Sequence, residues 1–355
     1  MNLRVALEAG SLLDAPTGVG RYTRELARGL EIHGVDVTKF AVALKGASTP
    51  DVKRWRLPSR VVHRAWLKTG RPSVARLIGD VDVVHGTNFV LPVAGSAPGV
   101  VTIHDLSFLR DDAFPGAAGW RDMVPWSLKR ARRAIAPSNA MAEEISDHYG
   151  ISTDYITVTY EGVAPVFFGA TPLSDASLEA MGISRPFAVA VGTIEPRKNL
   201  ARLLEAWRRA APQVSGWTLV LAGPRGWGPG LPRTEGVVLT GWIGDETLPG
   251  LLAAADLFCY PSLYEGFGLP PLEAMAAGTA AVVGNYPAAS EVLGDAALRV
   301  DPGDIDAIGE ALGGIVANES LRRGYALAGK AHAVSYTWER TARATIGAYE
   351  AARGR

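Results

Sequence analysis

The stretch Tyr260–Gly278, reading YPSLYEGFGLPPLEAMAAG, constrains this chain most, because three requirements for holding a charged ligand fall together in it. The apolar run from Asp256 to Tyr260 predicts a strand, which Pro261 and Ser262 end. Gly266 and Gly268 follow, where backbone N–H groups approach a ligand with no Cβ in the way, and Pro270 and Pro271 suit the first turn of a helix. A strand, a glycine loop and a helix N-terminus in that order present unpaired N–H donors and the positive end of a helix dipole, a ready site for phosphate. Glu265 stands before the glycines and Glu273 about one turn inside the helix. Carboxylates are poor phosphate ligands but good acceptors for sugar hydroxyls. The combination suits a sugar nucleotide, with Glu273 on the ribose and Glu265 on the transferred sugar.

Bulk properties narrow the alternatives. A chain of 355 residues predicts about two domains, each large enough for its own core. Lysine plus arginine equal aspartate plus glutamate at 36 each, so the net charge is zero and no nucleic-acid partner is expected. The single cysteine, Cys259, excludes an intrachain disulfide framework and fits a reducing cytoplasm. The opening MNLRVALEAG lacks the apolar core of a signal peptide, and no stretch approaches the roughly 20 apolar residues of a membrane span. The expected location is cytoplasmic, with peripheral attachment at the inner face of the cytoplasmic membrane as an option.

The first half alternates strands and helices. Leu3–Leu7 predicts a strand, Gly10–Gly20 a loop, and Arg21–Ile32 a helix with Tyr22, Leu26 and Leu30 on one face. Gly18 and Gly20 invite a dinucleotide-binding reading, but Thr23 stands where the third glycine belongs. The strand Val35–Leu44 then runs into Lys45 where a ribose-binding acid is needed. The loop is therefore read as a mobile one whose N–H groups approach phosphate or acceptor. Lys53–Arg76 holds eight lysines and arginines, no acid, and the tryptophans Trp55 and Trp66. Two readings stand: a solvated basic face whose stems cover apolar surface, or contact with an anionic membrane or a diphosphate-linked acceptor.

Asp80 and Asp82 are read as strand-opening acids rather than a metal site, and His85 as either a cleft-lining or a structural histidine. The β-branched run Val100–Ile103 delivers His104 and Asp105 to a strand's C-terminal end, where open parallel sheets bind ligands. A helix over Trp120–Arg133, a strand over Ala134–Ala136 and a short strand over Ile156–Thr159 complete this half.

A stretch rich in Pro, Gly, Ala and Ser follows Val163, which places a domain boundary at about 165 to 183. The pattern then restarts with a strand over Phe187–Val191 and a helix over Asn199–Ala210, with GTIEPRKN between them. Arg197 and Lys198 stand just before a helix start, where the dipole disfavours cations unless an anion joins them. Further strands are expected at Thr218–Ala222 and Val237–Leu239, the latter leading to Gly241-Trp242-Ile243, and a C-terminal helix at Thr337–Ala352.

The spacing of Glu265 and Glu273, with seven residues between, resembles the E-x7-E element of the retaining glycosyltransferases of family 4. TGVGRYTREL resembles the N-terminal loop and helix of that family's mannosyltransferase- and rhamnosyltransferase-like branch, which serves bacterial polysaccharide biosynthesis. GTIEPRKN resembles its arginine–lysine pair. With His104-Asp105, four motifs stand in family order and the resemblance spans nearly the whole chain. Glu8 departs from a common aspartate, Ala277 from a common cysteine and Ala280 from a common proline.

The resemblance implies an α/β fold of the GT-B class, two Rossmann-like, doubly wound parallel-sheet domains facing across a cleft. Residues 1–165 would form the acceptor-side domain, 166–336 the donor domain, and 337–355 a helix returning to the first. It also implies a retaining, metal-independent transferase with a nucleotide-sugar donor, GDP-mannose favoured, a glycan or lipid-linked acceptor, and no cofactor. His104 would meet the donor sugar near its primary hydroxyl, with Asp105 orienting it or meeting the acceptor. Arg197, Lys198 and Glu265 would join His104 in catalysis. Gly18, Gly20, Arg197, Lys198, Gly266, Phe267, Gly268, Leu269 and Glu273 would hold the donor, with Trp242 and Ile243 at its base. Two alternatives remain, a GT-B sugar-nucleotide epimerase or hydrolase and a non-catalytic sugar-nucleotide-binding subunit.

Overall fold

The computed structural model describes residues 3–13, 17–47 and 49–354. Asp14, Ala15 and Pro16, part of the predicted loop Gly10–Gly20, lie outside the described residues. The chain divides into two compact units, residues 1–162 with 337–355, and residues 163–336.

Among the described residues the first unit has seven strands, β1 (Arg4–Glu8), β2 (Asp36–Val42), β3 (Val52–Trp55), β4 (Val83–Gly86), β5 (Gly99–Thr102), β6 (Arg133–Ala136) and β7 (Ile156–Val158). Their spatial order is β3-β2-β1-β4-β5-β6-β7, and all their pairings are parallel. Val5, Leu7, Val83, Val84, Val100, Val101 and Ile135 are wholly buried. Such continuous apolar runs mark a parallel sheet covered by helices on both faces. Asp82 precedes β4, and its carboxylate accepts from the Arg4 backbone N–H at 2.9 Å, an acid serving strand entry.

Helices in this unit differ from the predicted spans at their ends. The first runs Gly18–Ile32 rather than from Arg21, because Thr17 Oγ1 accepts from Gly20 N–H at 3.1 Å and opens the helix three residues early. The helix Ala117–Arg130 likewise starts and stops three residues before the predicted Trp120–Arg133.

The helix Trp338–Ala352, from the far end of the chain, packs into this unit. Thr341 Oγ1 donates to Tyr160 O at 2.6 Å, and a Cβ on Gly162 would overlap the Trp338 backbone. His85 is fully buried, with Nδ1 2.7 Å from Tyr349 Oη on that helix and Nε2 2.8 Å from Thr102 Oγ1. Burial, with His104 nearby, lowers its pKa to about 3. Of its two readings, the structural one holds.

The second unit has six strands, β8 (Phe187–Val191), β9 (Thr218–Ala222), β10 (Val237–Gly241), β11 (Leu257–Tyr260), β12 (Ala281–Gly284) and β13 (Leu298–Val300). They are ordered β10-β9-β8-β11-β12-β13, again all parallel. Strand order reverses between β8 and β11, and ligands of open parallel sheets lie beyond the C-terminal ends at such a point. Cys259 is buried inside β11, and its thiol pKa is pushed up to about 12 by that burial.

Candidate active site

The second unit concentrates its buried charge beyond the ends of β8 and β11. Arg197 and Lys198 occupy a single 3-10 turn, Pro196–Lys198, and Asn199 takes a left-handed φ of +60° before the helix Leu200–Arg209. The Asn199 side chain fixes this corner by donating to Pro261 O at 3.0 Å and Pro302 O at 2.7 Å. From there both cations reach one carboxylate. Arg197 Nη1 donates to Glu265 Oε2 at 2.5 Å, and Lys198 Nζ donates to Oε1 at 2.7 Å. Tyr260 Oη and Ser262 Oγ also donate to Oε1, at 2.9 and 2.5 Å. Lys198 Nζ further contacts Tyr260 Oη at 2.5 Å and lies 4.7 Å from the centre of its ring.

One carboxylate facing two cations accounts for both directions of titration. Burial pushes the Glu265 pKa up, but Arg197 and Lys198 together outweigh it and hold it at about 2. Lys198 shares its partner, so burial and the Arg197 charge prevail and its pKa is lowered. Arg197 is paired on its other side with Glu195 at 2.8 Å, whose Oε2 also accepts from Trp227 Nε1 at 3.2 Å. Two cations and two carboxylates thus sit nearly out of water, paired with one another.

The glycine loop continues this cluster. Gly268 has φ +100° and directly precedes the helix Leu269–Ala276, and a Cβ there would overlap the Tyr286 hydroxyl. Phe267 and Leu269 are buried beside it, and Glu273 is 2% exposed within the helix. Gly266 precedes Phe267 in the same loop. Trp242 and Ile243 follow β10, two strands from β8 and at the same end of the sheet, with Trp242 52% exposed. The structure therefore gathers Arg197, Lys198 and Glu265 in direct contact and sets Gly266–Leu269 beside them.

In the first unit the predicted residues are less closely grouped. His104 lies just past β5, 8% exposed, with Nε2 2.9 Å from Thr87 O and Nδ1 3.2 Å from Glu161 Oε1. Tyr22 stands edge-on to its ring at 4.6 Å, and Tyr22 Oη lies 3.1 Å from Thr102 Oγ1. Asp105 accepts from Ser107 N–H at 2.8 Å, opening a short helical turn. The carboxylate against the histidine ring is Glu161. Gly18 and Gly20 sit in the first turn of their helix rather than in a loop, and the Gly20 N–H is engaged by Thr17.

Residues 185–318 match the family described as Glycosyl transferases group 1, and residues 16–166 match Glycosyltransferase Family 4. O-antigen chain mannosyltransferase B of Escherichia coli is 33% identical over 286 residues, covering 76% of this chain and 74% of that protein. The chain belongs to glycosyltransferase family 4. MMP alpha-(1->4)-mannosyltransferase of Mycolicibacterium hassiacum is 28% identical, covering 94% of this chain and 95% of that one. Among solved structures, Anabaena Alr3699/HepE in complex with UDP-glucose superposes with a TM-score of 0.76 at 18% identity, over 98% and 99% of the two chains. The two parallel-sheet units are those of a GT-B glycosyltransferase.

Three contacts of this family 4 glycosyltransferase were not legible in its sequence: Tyr260 on Lys198, Glu161 on His104, and Tyr286 behind Gly268. Tyr260 stood inside the opening motif, but as the last residue of a strand it read as core. Glu161 had only its place just past a short strand to recommend it. Tyr286 carried no signal at all.

Proposed function

We propose that this glycosyltransferase moves mannose from GDP-mannose to a hydroxyl of a glycan or lipid-linked saccharide, with retention of anomeric configuration and with no metal ion required. The observation that carries this reading is the pairing of Arg197 and Lys198 with one buried carboxylate, Glu265, at the strand-order reversal beside a glycine loop. A diphosphate entering there takes over both cations, and the displaced Glu265 becomes an acceptor for hydroxyls of the transferred sugar. As the glycosidic bond to phosphate breaks, charge grows on the leaving diphosphate. Arg197, Lys198 and the loop N–H groups stabilise it within a site that excludes water. The incoming hydroxyl passes its proton to the departing phosphate oxygen on the same face. For His104, held on both ring nitrogens, contact with the donor sugar is what the family resemblance implies. Glu273 would take the ribose, and Trp242 with Ile243 the base.

Two relatives bearing the name mannosyltransferase support the choice of sugar, and the UDP-glucose complex of a similar fold supports a nucleotide-sugar donor. A thermal-shift series of GDP, UDP, ADP and dTDP sugars, each with Mg²⁺ and with EDTA, tests the donor, since a ligand of the folded state raises its melting temperature. GDP-mannose is expected to stabilise most and equally in both conditions. A larger response to another sugar nucleotide replaces the donor, and a response confined to Mg²⁺ removes the metal-free mechanism. The anomeric configuration of the first product, read by proton NMR, tests retention.

The basic segment supports a peripheral membrane reading in part. Among the described residues no helix is long and apolar enough to cross a membrane. Trp66 is buried, donates from Nε1 to Pro72 O at 2.7 Å and stacks on Trp126, so it serves packing and not a lipid interface. What remains exposed on the helix Ser59–Thr69 is a stripe of Arg60, Arg64 and Lys68 at four-residue spacing, beside Val61 at 62% and Leu57 at 38% exposure. Cations flanking exposed apolar side chains fit an anionic lipid surface. Co-sedimentation with phosphatidylglycerol vesicles at low salt, lost in the triple charge reversal R60E/R64E/K68E, is the expected result. Equal sedimentation of the two proteins overturns it.

A further inference from the structure

Tyr286 stands two residues beyond β12 and is 2% exposed. Its hydroxyl has no hydrogen-bond partner among the described residues. The ring meets that of Tyr260 edge-on at 6.5 Å, and the hydroxyl packs against Gly268 where any larger residue would carry its Cβ. Burial, and next the Glu265 carboxylate, raise the Tyr286 pKa well above the usual phenol range, so the group is a neutral donor throughout the working pH range. The buried hydroxyl therefore lies against Gly268 at the amino end of the helix Leu269–Ala276, with its ring against Tyr260, whose own hydroxyl donates to Glu265.

That helix end is short of donors. Of the first four helical residues, whose N–H groups have no partner within a helix, Pro270 and Pro271 have none to offer. A phenylalanine would fill the same volume without burying an unpaired hydroxyl, which is costly. We propose that Tyr286 Oη donates a hydrogen bond to the diphosphate of the donor when it sits at this helix end, supplying a donor that the two prolines remove. The inference rests on the donor reading given above, and it makes Tyr286 a binding residue that no motif of the chain identifies.

The test compares wild type with Tyr286→Phe in two measurements, the melting temperature of the free protein and calorimetric affinities for GDP and GDP-mannose. The free variant is expected to melt at the wild-type temperature or higher, because no internal hydrogen bond is lost, while both affinities fall about tenfold. Equal affinities in the two proteins overturn the assignment. So does a loss confined to GDP-mannose, which moves the contact to the sugar, and so does a variant melting several degrees lower, which means the hydroxyl is partnered within the protein. Absence of binding by wild type itself overturns the donor reading and the inference with it.

Discussion

Glu161 Oε1 lies 3.2 Å from His104 Nδ1, across 57 residues of chain, while the other ring nitrogen faces the carbonyl oxygen of Thr87 at 2.9 Å. A carbonyl oxygen only accepts, so Nε2 carries a hydrogen. The other nitrogen, Nδ1, is turned toward the Glu161 carboxylate. The ring is fixed in orientation by partners on two different loops.

Replacing Glu161 separates these effects from stability. Glu161→Gln keeps an acceptor of the same shape but removes the charge, and kcat/KM is expected to fall about tenfold with the melting temperature nearly unchanged. Glu161→Leu, which releases the ring, is expected to fall about a hundredfold, since small misplacements in a site are amplified in rate. Unchanged kinetics in both variants would remove His104 from the catalytic set.

In the proposed mechanism Lys198 acts on the leaving group, so Lys198→Met should reduce kcat by at least about a hundredfold, the usual loss when a charge-stabilising donor is removed. The same group should limit activity on the alkaline side. Its pKa lies below the ordinary lysine value of 10.5 because burial and Arg197 outweigh Glu265. The pH profile of kcat/KM is therefore expected to turn down earlier than a solvated lysine would allow. A Met variant with near wild-type turnover would sink the assignment.

Glu265 makes stability depend on acid in a defined window. Its folded pKa, about 2, lies below the ordinary value of 4.5. The contribution is therefore complete above pH 4.5 and is lost as the pH falls towards 2. It amounts to something on the order of 3 kcal/mol. Glu265→Gln should be less stable than wild type at neutral pH by about that much, with two cations left under-compensated. The gap should close as the pH is lowered through the window. Denaturation curves at a series of pH values read this directly, and a gap that stays constant would contradict it.

Gly268 and Tyr286 should be energetically coupled. Gly268→Ala places a methyl group on the Tyr286 hydroxyl and forces a left-handed φ of +100° on alanine, which costs about 1–3 kcal/mol from the backbone alone. With Tyr286→Phe the overlap with oxygen disappears and only the strain and the ring contacts remain. The double variant is expected to be more stable than the sum of single effects by about 1 kcal/mol. Strict additivity would mean that the hydroxyl moves aside freely.

What the sequence made legible was local. Arg197 with Lys198 and Glu265 with Gly268 each lie within one turn-forming stretch, so residue type, spacing and the flanking apolar runs identify them without knowledge of the sheet. Their meeting depends on β8 and β11 being neighbours across the reversal of strand order, which alternation of strands and helices suggests but does not specify. Glu161 and Tyr286 act through register across strands, and nothing in their own neighbourhood marks them. The early start of the helix Gly18–Ile32 was hidden because Gly18 and Gly20 are poor helix formers. The Thr17 side chain outweighs that preference.

The helix Trp338–Ala352 closes the first unit through Tyr349, Thr341 and Trp338, yet it is made only after the whole second unit. A ribosome adding about 5–20 residues per second must translate the whole of residues 163–336 before that helix emerges. For on the order of ten seconds or more, the face around His85 and Gly162 waits uncovered while the second unit is being made. A premature stop anywhere in the second unit therefore damages the first as well, and the nascent chain is most in need of a chaperone while its later half is still being made.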